Sequence, residues 1–214
     1  MSGRILKELK SHAPFTLLGA ASGILIITVL VLSRVDPETL RPFFGGFHAV
    51  HVFLSAIVTA SLYRRYRESI ILSGIVGYLG AIGIATLSDV IFPHHGGQLL
   101  LKIAGVEHHM HLHLAFIEKW WLINPAAFLG IIVALLRPST KIPHTGHVLL
   151  STWASLFYLL SNAGSEVNWL PLLPLVLLVL FLAVWVPCCV SDIVFPLLFV
   201  GKDAMEDHPG DGHH

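Results

Sequence analysis

The chain has 214 residues, of which 55% are hydrophobic and only 12% are charged, and its formal net charge is zero. Soluble domains usually carry about 25% charged residues, so the composition excludes an ordinary water-soluble domain and predicts a protein integral to a membrane. The charge balance gives no indication of a nucleic-acid partner. Cys188 and Cys189 are adjacent, which excludes a disulfide framework between distant segments, and the fourteen histidines are the unusual feature of the composition.

Six apolar stretches are long enough, or nearly so, to cross a bilayer as helices, because a hydrocarbon core of about 30 Å requires about 20 helical residues. The predicted spans are residues 14–33, 46–63, 70–92, 120–136, 145–161 and 170–200. The first stretch follows a basic start and lacks a clear cleavage site, so it is interpreted as a membrane helix and not as a signal peptide. The sixth contains Pro187 and Pro196, which favour a kink or an early end.

Lysine and arginine residues are more frequent on the side of the six-span topology that holds both termini, where Arg64, Arg65 and Arg67 form one cluster. The positive-inside rule therefore predicts a chain integral to a cytoplasmic or inner membrane, with both termini in the cytoplasm. The segment from Pro93 to about Ala115 is then predicted to be a loop on the outer side. It contains the histidine-rich sequences PHHGG and EHHMHLH.

Three short motifs occur twice along the chain, in the same order. His48 and His51 near the start of the second span are matched by His144 and His147 near the start of the fifth. The sequence SDVIFP at the end of the third span is matched by SDIVFP in the sixth, and HAPF before the first span is more faintly matched by HLAF before the fourth. Histidine and aspartate are rare in membrane spans, so these matches are more informative than matches between leucines or valines.

The matches predict a duplicated three-helix unit. An odd number of spans per unit inverts the second copy, as in many secondary transporters. The predicted organisation is a first repeat at residues 1–93, a histidine-rich outer loop at 94–114, a second repeat at 115–201 and a polar C-terminal tail at 202–214. The predicted fold class is therefore an all-α polytopic membrane protein with six transmembrane helices in two inverted three-helix repeats.

This topology gathers three histidines and one aspartate at each end of the helix bundle. The candidate metal ligands of the outer group are His48, His51, Asp89 and His113. Those of the inner group are His12, His144, His147 and Asp192. Two imidazoles at positions i and i+3 of a helix share one face and can bind the same cation, and a carboxylate from a facing helix can complete or orient the site.

Such a donor set suits a divalent transition metal, with zinc favoured over iron(II), manganese or nickel. Cys189 precedes Asp192 by about one helical turn and could add a thiolate to the inner group. The alternative interpretation is structural. In that case the histidines hydrogen-bond lipid headgroups or helix ends, and Asp89 and Asp192 bond to a neighbouring backbone where their helices end.

A divalent metal transporter is the leading function, because two equivalent sites at opposite ends of a bundle suit alternating access. The second hypothesis is an intramembrane zinc-dependent hydrolase, in which Asp89 or Glu118 would act as the base beside a metal-bound water. The third is a haem-binding electron-transfer subunit, with His113 and either His48 or His51 as axial ligands. The fourth is a non-catalytic membrane subunit with interfacial histidines.

The expected partners are the lipid bilayer and metal ions, with no nucleic acid. The expected cofactor is a divalent metal ion, zinc first, and haem is the alternative. The sequence leaves open whether the chain is an enzyme and whether it forms a homo-oligomer.

Overall fold

A computed structural model describes residues 2–137, 141–189 and 194–200 of the chain. The side chains of residues 2–9, 11–12, 141–145, 189 and 197 lie outside the described part. Within the described residues the chain is all-helical and contains no strand, as the composition and the apolar runs predicted.

The helices follow one another with short connections. In chain order the α-helices are α1 (Ser2–Leu32), α2 (Arg41–Tyr66), α3 (Ile70–Thr86), α4 (Phe92–Ala104), α5 (Ala115–Glu118), α6 (Trp120–Leu136), α7 (Lys141–Asn162), α8 (Leu173–Cys189) and α9 (Phe195–Leu198). Short 3-10 turns at Pro37–Leu40 and Leu170–Leu172 precede α2 and α8. A π-helical turn at Leu87–Ile91 joins α3 to α4 without a break.

Four helical stretches of the described chain are long and apolar enough to cross a membrane. They are Ala13–Leu32, Pro37–Tyr66, Ile70–Ala104 and Leu170–Cys188, and the apolar helix Trp120–Leu136 is shorter. These lengths support integration into a membrane. The six-span inverted repeat is not confirmed by the structure, and it stays a prediction together with the orientation of the termini and the division into two repeats.

The segment predicted as an outer loop is helical as far as Ala104, so the prediction of a loop from Pro93 onward is wrong for this part. Proline ends many helices because it lacks an N–H donor and its ring clashes with the preceding turn. Here the π turn ends at Ile91, two residues before Pro93, and it contains Asp89, whose carbonyl is the one that the proline ring would meet in a regular α-helix. The helix ends instead at Gly105, whose φ of 69° is the left-handed conformation that favours glycine at a helix C-terminus.

Helices α2 and α7 pack antiparallel along a seam of aromatic rings. Phe43 and Phe47 of α2 both stack on Phe157 of α7, with ring centroids 5.4 and 5.3 Å apart. Phe47 also meets Trp153, one turn earlier on α7, edge to face at 5.4 Å. Residues later in α2 thus contact residues earlier in α7, and this order defines the antiparallel register. This register decides which polar side chains meet farther along the two helices.

The opposite face of α2 is lined by small residues, which let the neighbouring helices approach closely, as is common in membrane proteins. Ala56 and Ala60 are fully buried there. A Cβ atom added to Gly77 of α3 would lie 2.8 Å from the Cβ atom of Ala60. Gly77 is therefore required by the close contact between α2 and α3.

We expect Gly77→Val to lower the free energy of unfolding by about 1–3 kcal/mol, because the added methyl groups overpack the α2–α3 contact. Gly83→Val is the matched control, since a Cβ atom on Gly83, in the same helix, meets nothing within 4 Å. Unfolding midpoints of both variants in detergent micelles measure the difference. Equal midpoints would contradict a close-packed α2–α3 interface.

Candidate metal centre

A carboxylate and two imidazoles meet in the interior of the helix bundle. His48 and His51 lie one turn apart on α2, and Asp89 lies in the π turn between α3 and α4. The Nδ1 atoms of His48 and His51 lie 2.8 and 2.7 Å from the same atom, Oδ2 of Asp89. All three side chains are buried, with at most 2% of any of them exposed. Because a carboxylate only accepts, each Nδ1 donates a hydrogen bond to Asp89 in the absence of a cation.

The other carboxylate oxygen is held by two hydroxyl groups. Ser88 Oγ donates to Oδ1 of Asp89 at 2.7 Å, and Ser151 Oγ of α7 donates to the same atom at 2.6 Å. Ser155, one turn after Ser151, donates to the backbone carbonyl of Ser88 at 2.9 Å. Asp89 therefore accepts hydrogen bonds from three parts of the fold, and these bonds fix the position of its carboxylate.

His147 and Cys188 extend the cluster on the side of α7 and α8. The rings of His51 and His147 are nearly parallel, with centroids 5.6 Å apart and an interplanar angle of 6°. Cys188 Sγ donates to Ser151 Oγ at 3.7 Å. One ligand atom each from His51, His147 and Cys188 lies within 4.8 Å of the other two, and the same holds for His48, His51 and Asp89. We call these five residues the His–Asp–Cys cluster.

The prediction that His51 and His147 belong to groups at opposite ends of the bundle is wrong. The antiparallel register of α2 and α7 places the two rings in contact. Helix α7 begins less than two turns before His147, whereas α2 continues for roughly four turns beyond His51, so α7 starts alongside the middle of α2. The two His-x-x-His motifs therefore contribute to one interior cluster.

His113 lies outside the His–Asp–Cys cluster, although it was predicted to join His48, His51 and Asp89. Its Nδ1 lies 3.1 Å from both carboxylate oxygens of Glu118, and both side chains are well exposed. The helix that carries Asp89 continues to Ala104. The chain that follows this extension, including His113, therefore lies away from the cluster. The side chains of His12 and His144, and the whole of Asp192, lie outside the described residues.

The sequence offered Cys189 as an additional thiolate donor, but the buried cysteine of the cluster is Cys188. The side chain of Cys189 lies outside the described residues. Val176, Leu180 and Val184 are fully buried and precede Cys188 at intervals of four residues, so they form the stripe of α8 that faces the core. The apolar residues Leu177, Phe181 and Trp185 precede Cys189 at the same spacing, so the sequence alone does not separate the two cysteines. Ser151, whose hydroxyl bonds to Asp89, was not predicted as part of the site.

Comparisons of the chain with known protein families, with curated proteins and with solved structures found no match. The function is therefore inferred from the geometry of the site.

In the part of the chain that the structure describes, the charge of Asp89 has no lysine or arginine partner in the interior. Among the described residues Asp89 is the only buried acidic side chain, and no lysine or arginine side chain is buried. An uncompensated charge in an apolar interior costs several kcal/mol. A proton on one of the imidazoles or a bound cation would supply the compensating positive charge. Imidazole, carboxylate and thiol groups at these separations could hold a metal ion.

Ser151→Ala removes a hydrogen bond to the buried carboxylate, and we expect it to lower the free energy of unfolding by about 1.5–3 kcal/mol. Ser155→Ala is the matched control, because the hydroxyl of Ser155 is equally buried but donates to neutral backbone carbonyl groups. We expect a smaller loss there, of about 0.5–1.5 kcal/mol. Thermal or denaturant unfolding in micelles compares the two variants, and a loss at Ser155 that equals or exceeds the loss at Ser151 would show that Asp89 is not the anchor of this network.

Proposed function

We propose that the protein binds a divalent transition metal ion of the zinc class in the His–Asp–Cys cluster and transports it across a membrane. The observation that carries the proposal is the convergence of His48 and His51 on the buried carboxylate of Asp89, 2.8 and 2.7 Å away, among helices of membrane-spanning length. Buried ionisable groups in membrane helices are costly and mark ion pathways and binding sites in membrane proteins.

A bound cation would compensate the charge of Asp89, as would a proton on one of the imidazoles. A divalent cation between two neutral imidazoles and one carboxylate supplies the positive charge that the described interior lacks. The Nε2 atom of His48 is also buried and has no hydrogen-bond partner among the described residues. Because Nδ1 of His48, and not Nε2, faces Asp89, a cation held by the carboxylate would not be the partner of this atom.

The position of the cluster along the helices supports transport. His51 lies about 15 Å from the start of α2 and about 22 Å from its end at 1.5 Å per residue, so the cluster is far from both ends of this helix. Substrate sites of secondary transporters commonly lie near the middle of the membrane, between structural repeats. His48, His51 and Asp89 come from the first predicted repeat, and His147 and Cys188 come from the second.

The backbone at Asp89 has the irregularity that ion sites in membrane helices often show. The π turn Leu87–Ile91 interrupts the α-helical pattern at the residue that carries the charge. π turns are frequent at functional sites, and interrupted helices form the ion sites of many transporters. Backbone groups freed by such a turn are tolerated inside a membrane protein where they line a site.

Haem binding is less well supported than metal binding. Axial histidines approach a haem iron from opposite faces of the macrocycle. The rings of His51 and His147 are instead parallel and stacked at 5.6 Å, and the Nδ1 atoms of His48 and His51 both point to Asp89.

A hydrolase would need a carboxylate available as base, whereas Asp89 already accepts four hydrogen bonds.

His51→Ala is expected to remove the bound metal, because His51 belongs to both groups of ligand atoms in the cluster. The measurement is elemental analysis of purified protein after loading with zinc and removal of excess ion. The matched control is His109→Ala, which removes an exposed histidine outside the cluster and should keep the wild-type metal content. Equal metal content in all three proteins would overturn the proposal of a metal site here.

Asp89→Asn is expected to abolish zinc uptake into proteoliposomes, because the amide has the shape of the carboxylate but lacks its charge. Uptake is followed with a zinc-sensitive dye inside the vesicles, and elution as a single species on size exclusion shows that the variant is folded. Uptake by the variant at the wild-type rate would contradict transport through this cluster. A wild type that binds zinc but does not move it would contradict transport while leaving the binding site intact.

A further inference from the structure

The His–Asp–Cys cluster contains two groups of ligand atoms that share one residue. His51 is common to the group with His48 and Asp89 and to the group with His147 and Cys188. The first group lies between α2 and the π turn, and the second lies between α2, α7 and α8. The two groups are therefore adjacent, with His51 between them.

The second group differs from the first in its chemistry. Its third ligand is the sulfur of Cys188, which is 1% exposed and is not in a disulfide. A thiolate with two imidazoles is a donor set that suits zinc and cobalt(II), whereas magnesium, calcium and manganese prefer oxygen ligands. The first group, with a carboxylate, accepts a broader range of divalent ions. The second group would therefore supply the selectivity for the softer ions.

The two groups are also joined by hydrogen bonds. Cys188 Sγ donates to Ser151 Oγ at 3.7 Å, and Ser151 Oγ donates to Oδ1 of Asp89 at 2.6 Å. Binding of a cation to sulfur would replace the S–H bond by a metal–sulfur bond, and Ser151 would relay the released proton to the carboxylate of Asp89.

We propose, resting on the proposed metal-binding function, that the cluster has a second coordination position formed by His51, His147 and the thiolate of Cys188. This position takes a borderline-soft divalent cation of the zinc class. It receives the ion from the position formed by His48, His51 and Asp89, and the ion keeps His51 as a ligand during the exchange. Ligand atoms of a tetrahedral zinc site lie about 3.4 Å apart at a metal distance of about 2.1 Å, which is within the 4.8 Å limit that the atoms of this group meet.

Cobalt(II) is the direct probe, because a cobalt–thiolate bond gives a near-ultraviolet charge-transfer band in addition to the visible d–d bands. Titration of cobalt chloride into purified wild-type protein in micelles should give both. Cys188→Ser should lose the charge-transfer band, keep visible bands from the first position, and bind cobalt at least about tenfold more weakly. Cys188→Ala serves the same purpose if the serine variant does not fold, and Cys189→Ser is the matched control that should keep the band.

Transport tests the exchange between the two positions. In proteoliposomes Cys188→Ser should take up zinc at least tenfold more slowly than the wild type and Cys189→Ser, although it still binds the ion. Uptake by Cys188→Ser at the wild-type rate would overturn the exchange.

The outcomes separate this inference from the proposed function. Wild-type protein that binds cobalt without a charge-transfer band, or a band that persists in Cys188→Ser, would overturn the second position and leave the first intact. Wild-type protein that binds no cobalt and no zinc would overturn both.

Discussion

The need to compensate one negative charge in an apolar interior governs the organisation around the site. Asp89 is fully buried, and within the described structure its neighbours are imidazoles and hydroxyl groups, with no lysine or arginine. Hydrogen bonds from Ser88, Ser151 and the two histidines stabilise the carboxylate without neutralising it. The cluster could therefore hold a cation, and the helices around it position its donors.

Two structural features, one of side-chain packing and one of the backbone, bring the donor side chains to the same depth in the helix bundle. The aromatic seam between α2 and α7 sets an antiparallel register in which His51 meets His147 and Asp89 meets Ser151. The π turn places Asp89 against α2 while the helix continues past it into α4. The seam is apolar, whereas the π turn accepts hydrogen bonds from Ser151 and Ser155, so apolar packing and polar contacts together position the cluster.

The sequence predicted an all-α membrane protein. Four of the predicted spans correspond to helical stretches of the described chain that are long enough to cross a membrane. It also selected His48, His51 and Asp89 as one group, because the histidines share a helix face and the aspartate follows on the next span. It could not place His147, since the register of two antiparallel helices depends on how Phe47 and Phe157 interdigitate, and no local pattern records that. The continuation of the helix beyond Pro93 was missed for a related reason, because a π turn has no reliable local signature.

The π turn also changes which neighbouring helices α3 and α4 contact. An α-helix turns by about 100° per residue, and a π turn accommodates an additional residue, so the stripe that faces inward before Leu87 is rotated relative to the stripe after Ile91. Before the turn, Gly77 lies against Ala60 of α2, and after it, Gly97 lies against Leu159 of α7. Deleting one residue within the turn would restore α-helical winding and rotate α4 out of its groove. A deletion in this segment should therefore be more damaging than a side-chain exchange at Leu87, Val90 or Ile91, which take no part in the hydrogen bonds of the cluster.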